Sequence, residues 1–242
     1  MPDQPSNPLT DVPDTEHRAV GSLPSAILLA ITGGSLDAFI YLNHGHVFAA
    51  MTGNGVLLGV SILHHDYLQA VRHLLPIFGF ILGAFFANLL DKTLKHHAVM
   101  VGLVCEISAL FLASFLPGSF PDLAFVPLIA IVAAYQVASF RQADDYAYSS
   151  TFMTSNLRTA VDGLYDALNP AKRKTGLRKF RELSFIILGF LFGATAGAIL
   201  SPRLCNHTIW FIDLPLIAVL LGILIRRNVT PIKAIKATPT KK

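Results

Sequence analysis

The chain has 242 residues, 53% of them hydrophobic and 14% charged, with a net charge of +4 and a mean hydropathy of +0.55. A soluble domain carries about a quarter charged residues. So little charge cannot cover a water-facing surface, and an ordinary soluble enzyme or binding module is excluded. The basic excess does not point to nucleic acid, because the lysines and arginines stand at the ends of apolar runs, where they act as topology signals.

Residues 1–22 are polar, with several prolines and aspartates and one basic residue, Arg18. They lack the basic start, apolar core and small-residue cleavage site of a signal peptide. They read as a disordered cytoplasmic leader, followed by a first span that serves as an uncleaved insertion signal. A helix needs about 20 apolar residues to cross the hydrocarbon core. Six stretches qualify: Leu23–Leu42, His73–Leu90, Ala98–Leu116, Leu123–Phe140, Leu183–Ser201 and Thr208–Ile225. Between them, Val47–Leu63 is apolar but short, and Gly53, Gly55 and Gly59 interrupt it. Thr151–Leu168 has helical periodicity, yet one face carries Arg158, Asp162 and Asp166, each of which costs about 2.5–3.5 kcal/mol at mid-bilayer. That segment is expected to be re-entrant or interfacial.

Six spans with an inside N-terminus put all but Arg72 and Arg203 of the 19 basic residues on the cytoplasmic side. These include the cluster Lys172, Arg173, Lys174, Arg178, Lys179 and Arg181, and the tail after Arg226. An eight-span arrangement would export Lys92, Lys95 and Arg141, against the positive-inside bias. Both termini are therefore expected in the cytoplasm. Cys105, in an apolar run, and Cys205, in a short loop, read as free thiols rather than a disulfide.

The two halves resemble each other. Ile77-Phe-Gly-Phe-Ile-Leu-Gly-Ala84 aligns with Ile187-Leu-Gly-Phe-Leu-Phe-Gly-Ala194, and upstream Met51-Thr-Gly-Asn54 aligns with Met153-Thr-Ser-Asn156. The expected fold is an all-α membrane protein of about six transmembrane helices in two inverted three-span repeats, each with a broken or re-entrant helix. Repeat A covers residues 23–117, repeat B residues 118–226, and a basic cytoplasmic tail follows over 227–242. An odd number of spans per repeat forces the halves to insert in opposite orientations, a plan that recurs in secondary transporters. Interrupted segments at matching positions point to the binding site. Thr and Asn cap helices, Gly or Ser lets the chain turn, and a helix start presents free N–H groups that suit a polar or anionic ligand. Thr52, Gly53, Asn54, Thr154, Ser155 and Asn156 are the candidate ligand-binding residues.

The run Gly33-Gly-Ser-Leu-Asp-Ala38, then Met51-Thr-Gly-Asn54, Gln136, Arg141 and Thr151-Phe-Met-Thr-Ser-Asn156, resembles the YoaK family, bacterial inner-membrane proteins built around a domain of unknown function. The resemblance covers roughly Leu23 to Arg226. It implies a membrane location and a fold, but no activity.

Three acids fall inside predicted spans, where ionisable groups are rare and functional by default. Glu106 is deepest, and Asp37 follows Gly33-Gly34, where the helix can loosen or kink; both are candidate coupling acids. Asp213, beside Trp210 and Pro215 near the outer end of its span, is expected to reach water. Arg141 and Gln142 end the fourth span, and Arg141 reads as a cytoplasmic anchor or a partner of Asp144 and Asp145. His44, His46, His64, His65 and His73 lie on the outer side with no helical His-x-x-x-His spacing, and read as surface residues rather than a metal site. The rows Gly79-x-x-x-Gly83 and Gly189-x-x-x-Gly193-x-x-x-Gly197 allow close helix contact, between the repeats or in a homo-oligomer.

The leading function is a small secondary transporter or permease for a small polar or anionic solute. A channel of the same architecture is close behind, distinguished by its flux rate. A non-transporting scaffold would use the loop Lys172–Arg181 to hold anionic lipid or a partner. A membrane enzyme is least expected, since no HExxH, GxSxG or intramembrane lysine occurs. No cofactor is implied; the expected partners are the lipid bilayer and the solute, with no nucleic acid.

Overall fold

The computed structural model describes residues 22–45, 47–48, 51–94, 97–140, 142–143, 146–151 and 153–236. The predicted leader up to residue 21, His46, Lys95, Arg141, Asp144, Asp145 and the last six residues lie outside this set, as does the Gln142 side chain. The described chain forms α1 (Leu23–Asn43), α2 (Met51–Leu63), α3 (Tyr67–Leu94), α4 (Ala98–Ala113), α5 (Asp122–Ser139), α6 (Met153–Asp166), α7 (Arg173–Leu204) and α8 (Thr208–Lys236). Between α5 and α6 sits a small antiparallel pair, β1 (Gln142–Ala143) with β2 (Tyr146–Ala147).

Local chemistry sets several of these boundaries. A proline occupies the first turn of α1, where its missing N–H costs nothing. Pro121 precedes α5, and Asp122 in the first turn suits the positive end of the helix dipole. The α7 helix stops where Cys205 takes φ 48°, and a 3₁₀ turn over Cys205–His207 starts α8. Contrary to the expected loosening, α1 runs unbroken through Gly33 and Gly34.

Four stretches are long and apolar enough to cross a membrane: Leu23–Asn43, Tyr67–Leu94, Asp122–Ser139 and Arg173–Arg226, the last holding α7 and α8 on either side of their turn. The α2 and α4 helices are apolar but shorter, 13 and 16 residues, or about 20 and 24 Å at 1.5 Å per residue. Phe85, Phe86, Leu112, Phe115, Phe192 and Leu214 all face outward. A soluble protein does not expose so much contiguous apolar surface; this is a membrane protein.

The buried core is built by α1, α4, α5 and α8, through residues such as Leu36, Phe39, Leu103, Leu110, Phe125, Ile129, Ile209 and Leu216. The α7 helix packs along α1, and α3 along α5; α2 rests on α3, and α6 on α7; α8 contacts α1, α5 contacts α4, and α4 meets α8. Exchanging α1 with α5, α2 with α6, α3 with α7 and α4 with α8 returns the same set of contacts.

The glycine rows fill the closest of these seams. A Cβ on Gly189, Gly193 or Gly197 would stand 3.1, 2.1 or 2.6 Å from the carbonyl oxygens of Ile27, Ile31 and Ser35 on α1. Successive turns therefore face successive turns, and α1 and α7 run parallel. In the same way Gly79 and Gly83 of α3 meet the carbonyls of Pro127 and Ile131 on α5, at 2.5 and 2.2 Å from a built Cβ. Of the two roles open to these rows, the contacts lie within one chain, between its halves. The register also makes α7 overhang the start of α1 by about 12 residues, roughly 18 Å, and this overhang carries Lys174, Arg178, Lys179 and Arg181.

Candidate functional site

The two Met-Thr-x-Asn segments each begin a short helix, and each asparagine turns back on the chain before it. Asn54 Oδ1 accepts from the Phe48 N–H at 3.0 Å, and Asn54 Nδ2 donates to the Phe48 carbonyl at 2.8 Å. Asn156 Oδ1 accepts from the Ser149 N–H at 2.9 Å, and its Nδ2 donates to the Ser149 carbonyl at 2.6 Å. Both side chains are buried. An amide that offers one acceptor and one donor to a single backbone residue mimics strand pairing. It satisfies chain that would otherwise have no partner inside an apolar bundle.

The clasp positions the head of α6 well inside the structure. The Ser150 carbonyl and the Thr151 methyl lie against Gly33, at the midpoint of α1, within 2.6 and 3.0 Å of where a Cβ would be. On the other side of α1, Gly34 admits the Phe190 carbonyl of α7. The Gly33-Gly34 pair is thus a double close approach rather than a kink. Tyr148, just before the clasped Ser149, is buried among Ala26, Ala30, Ala160 and Ile186. In the first half, the Phe48 ring stacks on Tyr41 of α1 at 4.9 Å and lies over Gly53.

The candidate ligand residues divide by exposure. Asn54 and Asn156 are buried and engaged, Gly53 is half-buried under Phe48, and Thr52, Thr154 and Ser155 are exposed. The described contacts seat each triplet in its own half, α2 on α3 and α6 on α7. Asp37 is half-buried one turn beyond Gly33-Gly34. Glu106 is 3% exposed, as its depth in the sequence suggests. Asp213 corrects the sequence reading: it too is 3% exposed. Its neighbour Ile212 offers its carbonyl to the Thr32 hydroxyl at 3.5 Å, in the middle of α1. Position within its own helix suggested the outer interface, but α8 begins deep against α1.

Other polar contacts had no signal in the sequence. Gln136 on α5 donates to the Leu29 carbonyl on α1 at 2.9 Å, tying together the two equivalent helices. The Tyr135 hydroxyl donates to the Ala98 carbonyl at 2.9 Å, with its ring lying over Gly102. His44, expected at the surface, is buried; its Nδ1 lies 2.8 Å from Asp122 Oδ1 and its ring stacks on Phe125 at 4.1 Å. His73 is also buried, in a hydrogen bond with Gln69. Cys105 and Cys205 are free and exposed.

A cleft of ≈380 Å³ lies between α1, α7 and α8, walled by Leu28, Ile31, Leu200 and Pro215 with Ser35 and Thr208 as its polar groups. The Ser35 hydroxyl already donates to the Gly193 carbonyl. Exposed Phe192, Phe211 and Leu214 frame the cleft, and none of the six candidate ligand residues lines it.

A family described as "Protein of unknown function (DUF1275)" matches residues 25–222. The UPF0700 transmembrane protein YoaK of Bacillus subtilis (strain 168) is 31% identical over 192 residues, 76% of this chain and 85% of that protein. No solved structure matches the chain. The matched region runs from α1 into α8 and takes in both asparagine clasps together with Asp37, Glu106 and Asp213. The chain belongs to the YoaK family, the DUF1275 transmembrane proteins.

Proposed function

We propose that the protein is a small secondary transporter or permease of the bacterial inner membrane, carrying a small polar or anionic solute. In this reading α1, α3, α4, α5, α7 and α8 cross the bilayer as two inverted three-span repeats. The α2 and α6 helices enter from opposite faces and start at mid-depth. The parallel runs of α1 with α7 and of α3 with α5 support that topology, since they follow when six spans alternate in this order. The basic overhang of α7 lies on the side where α1 begins, which suits cytoplasmic termini.

The observation that carries the proposal is the pair of matching clasps at Asn54 and Asn156. They hold open two chain breaks at equivalent positions, where broken backbone is tolerated only in protein or beside a wet cavity. The asparagines do the holding; Thr52, Thr154 and Ser155, exposed at the helix heads, would meet the solute together with free N–H groups. Asp37 and Glu106 are the acids available for ion coupling. No enzymatic role is proposed.

Uptake of a panel of small anions and polar solutes into proteoliposomes tests this. Saturable, gradient-driven uptake is expected, falling about tenfold or more (a loss of roughly 1.4 kcal/mol) in Thr52→Ala combined with Thr154→Ala. Silence across the panel, or uptake indifferent to that pair, would overturn the reading.

A further inference from the structure

Glu106 on α4 and Asp213 on α8 are buried acids without a hydrogen-bonding partner among the described residues. Each is 3% exposed, and none of their four carboxyl oxygens has a hydrogen-bond partner among the described residues. The α4 and α8 helices pack against each other, and the two carboxylates are near enough to interact electrostatically. The sequence separates the two acids and sets Asp213 in water; the fold buries both on helices that pack against each other.

The surroundings do not neutralise the pair. From α5, Tyr135 lies within electrostatic reach of Glu106, but its hydroxyl donates to the Ala98 carbonyl. From α1, the Thr32 hydroxyl is engaged with the carbonyls of Leu28 and Ile212. Cys105 on α4 and Asp91 on α3 stand around Tyr135 and bring no positive charge. Among the described residues no lysine, arginine or histidine pairs with either acid.

Two ionised carboxylates cannot share an apolar seam, because desolvation and mutual repulsion act in the same direction. A single proton ends the repulsion and leaves one of the two acids neutral, so that only one buried charge remains to be desolvated. A metal cation would need several more oxygen ligands, while the Thr32 and Tyr135 hydroxyls are engaged with backbone carbonyls.

We propose that Glu106 and Asp213 form one proton-binding site in the seam between the two halves of the protein, the pair together holding at least one proton. Loss of the last proton leaves two like charges between α4 and α8 and favours their separation. Protonation is thereby linked to the relative position of the halves. The use of this proton as the coupling ion rests on the transport reading above; the site itself does not.

Infrared titration of the purified full-length protein in lipid nanodiscs reads the site directly, without any solute. The wild type is expected to show the carbonyl stretch of a protonated carboxylic acid at neutral pH. Glu106→Gln with Asp213→Asn should abolish it. Asp213→Asn alone should lower the midpoint of the remaining band by about one pH unit or more, the coupling expected of interacting acids. Sodium should leave the band unchanged. Where the neutral variants fold poorly, Asp213→Glu keeps both carboxyls and should retain the band with a displaced midpoint. A wild-type spectrum without the band, a midpoint indifferent to the partner residue, or displacement by sodium would each overturn the proposal. A missing band with intact solute uptake removes the proton site alone; a normal band with no uptake removes the transport reading alone.

Discussion

Asn54 and Asn156 hold their chains in the same way. Each side-chain amide bonds both the N–H and the carbonyl of one residue, six positions earlier for Asn54 and seven for Asn156. Both clasps precede a short helix resting on a longer one, and both longer helices bring glycines against a helix of the other half. The asparagines therefore serve as fasteners of the break, and any contact with solute falls to their exposed neighbours.

Asn54→Ala and Asn156→Ala should each destabilise the protein by about 1–3 kcal/mol, because a buried backbone donor and acceptor lose their partners. Asn→Asp should not rescue either site, since the carboxylate cannot donate to the carbonyl of Phe48 or Ser149. The two losses should add, as the sites lie in separate halves. Thermal unfolding in detergent measures all three; an unchanged midpoint for Asn54→Ala would show that the clasp does not hold the break.

Gly193→Ala should cost about 1–3 kcal/mol or more, because the new Cβ would meet backbone of α1 that cannot rotate away. Gly222→Ala, with nothing within 4 Å of the built Cβ, should be neutral or stabilise by about 0.5–1 kcal/mol. Melting curves of the two variants side by side separate packing from helix propensity. Equal effects would contradict the close α1–α7 seam.

Gln136 is fully buried, donates to Leu29, and leaves its Oε1 without a partner among the described residues. Gln136→Leu should change stability by less than about 1 kcal/mol, since it removes an unsatisfied acceptor along with the hydrogen bond. A loss of solute uptake in this variant at unchanged stability would mark the free oxygen as functional. A large drop in melting temperature would instead make the α1–α5 tie structural.

Single cysteines report the topology. With Cys105 and Cys205 replaced by serine, His64→Cys in the α2–α3 turn should react with an impermeant maleimide from outside the cell. Ala171→Cys in the α6–α7 turn should react only after permeabilisation. Both positions are exposed, so accessibility is not the limit. Labelling of both from one side would rule out an inverted arrangement.

The chain's own order of residues determined that it lives in lipid, where its apolar helices lie, and that Met51–Asn54 and Met153–Asn156 correspond. These are properties of composition and spacing, and they survive projection onto one dimension. It also marked the glycine rows as close-contact faces, because absence of a side chain is legible without a partner. Only the tertiary structure decided what each residue touches. It set Asp213 beside the middle of α1 and near Glu106, turned Gly33-Gly34 from a kink into a double contact, buried His44 against Asp122, and gave the asparagines to the backbone. Each of these depends on a helix far away in sequence, and a side chain's burial and charge environment are set by whichever helix comes to lie across it.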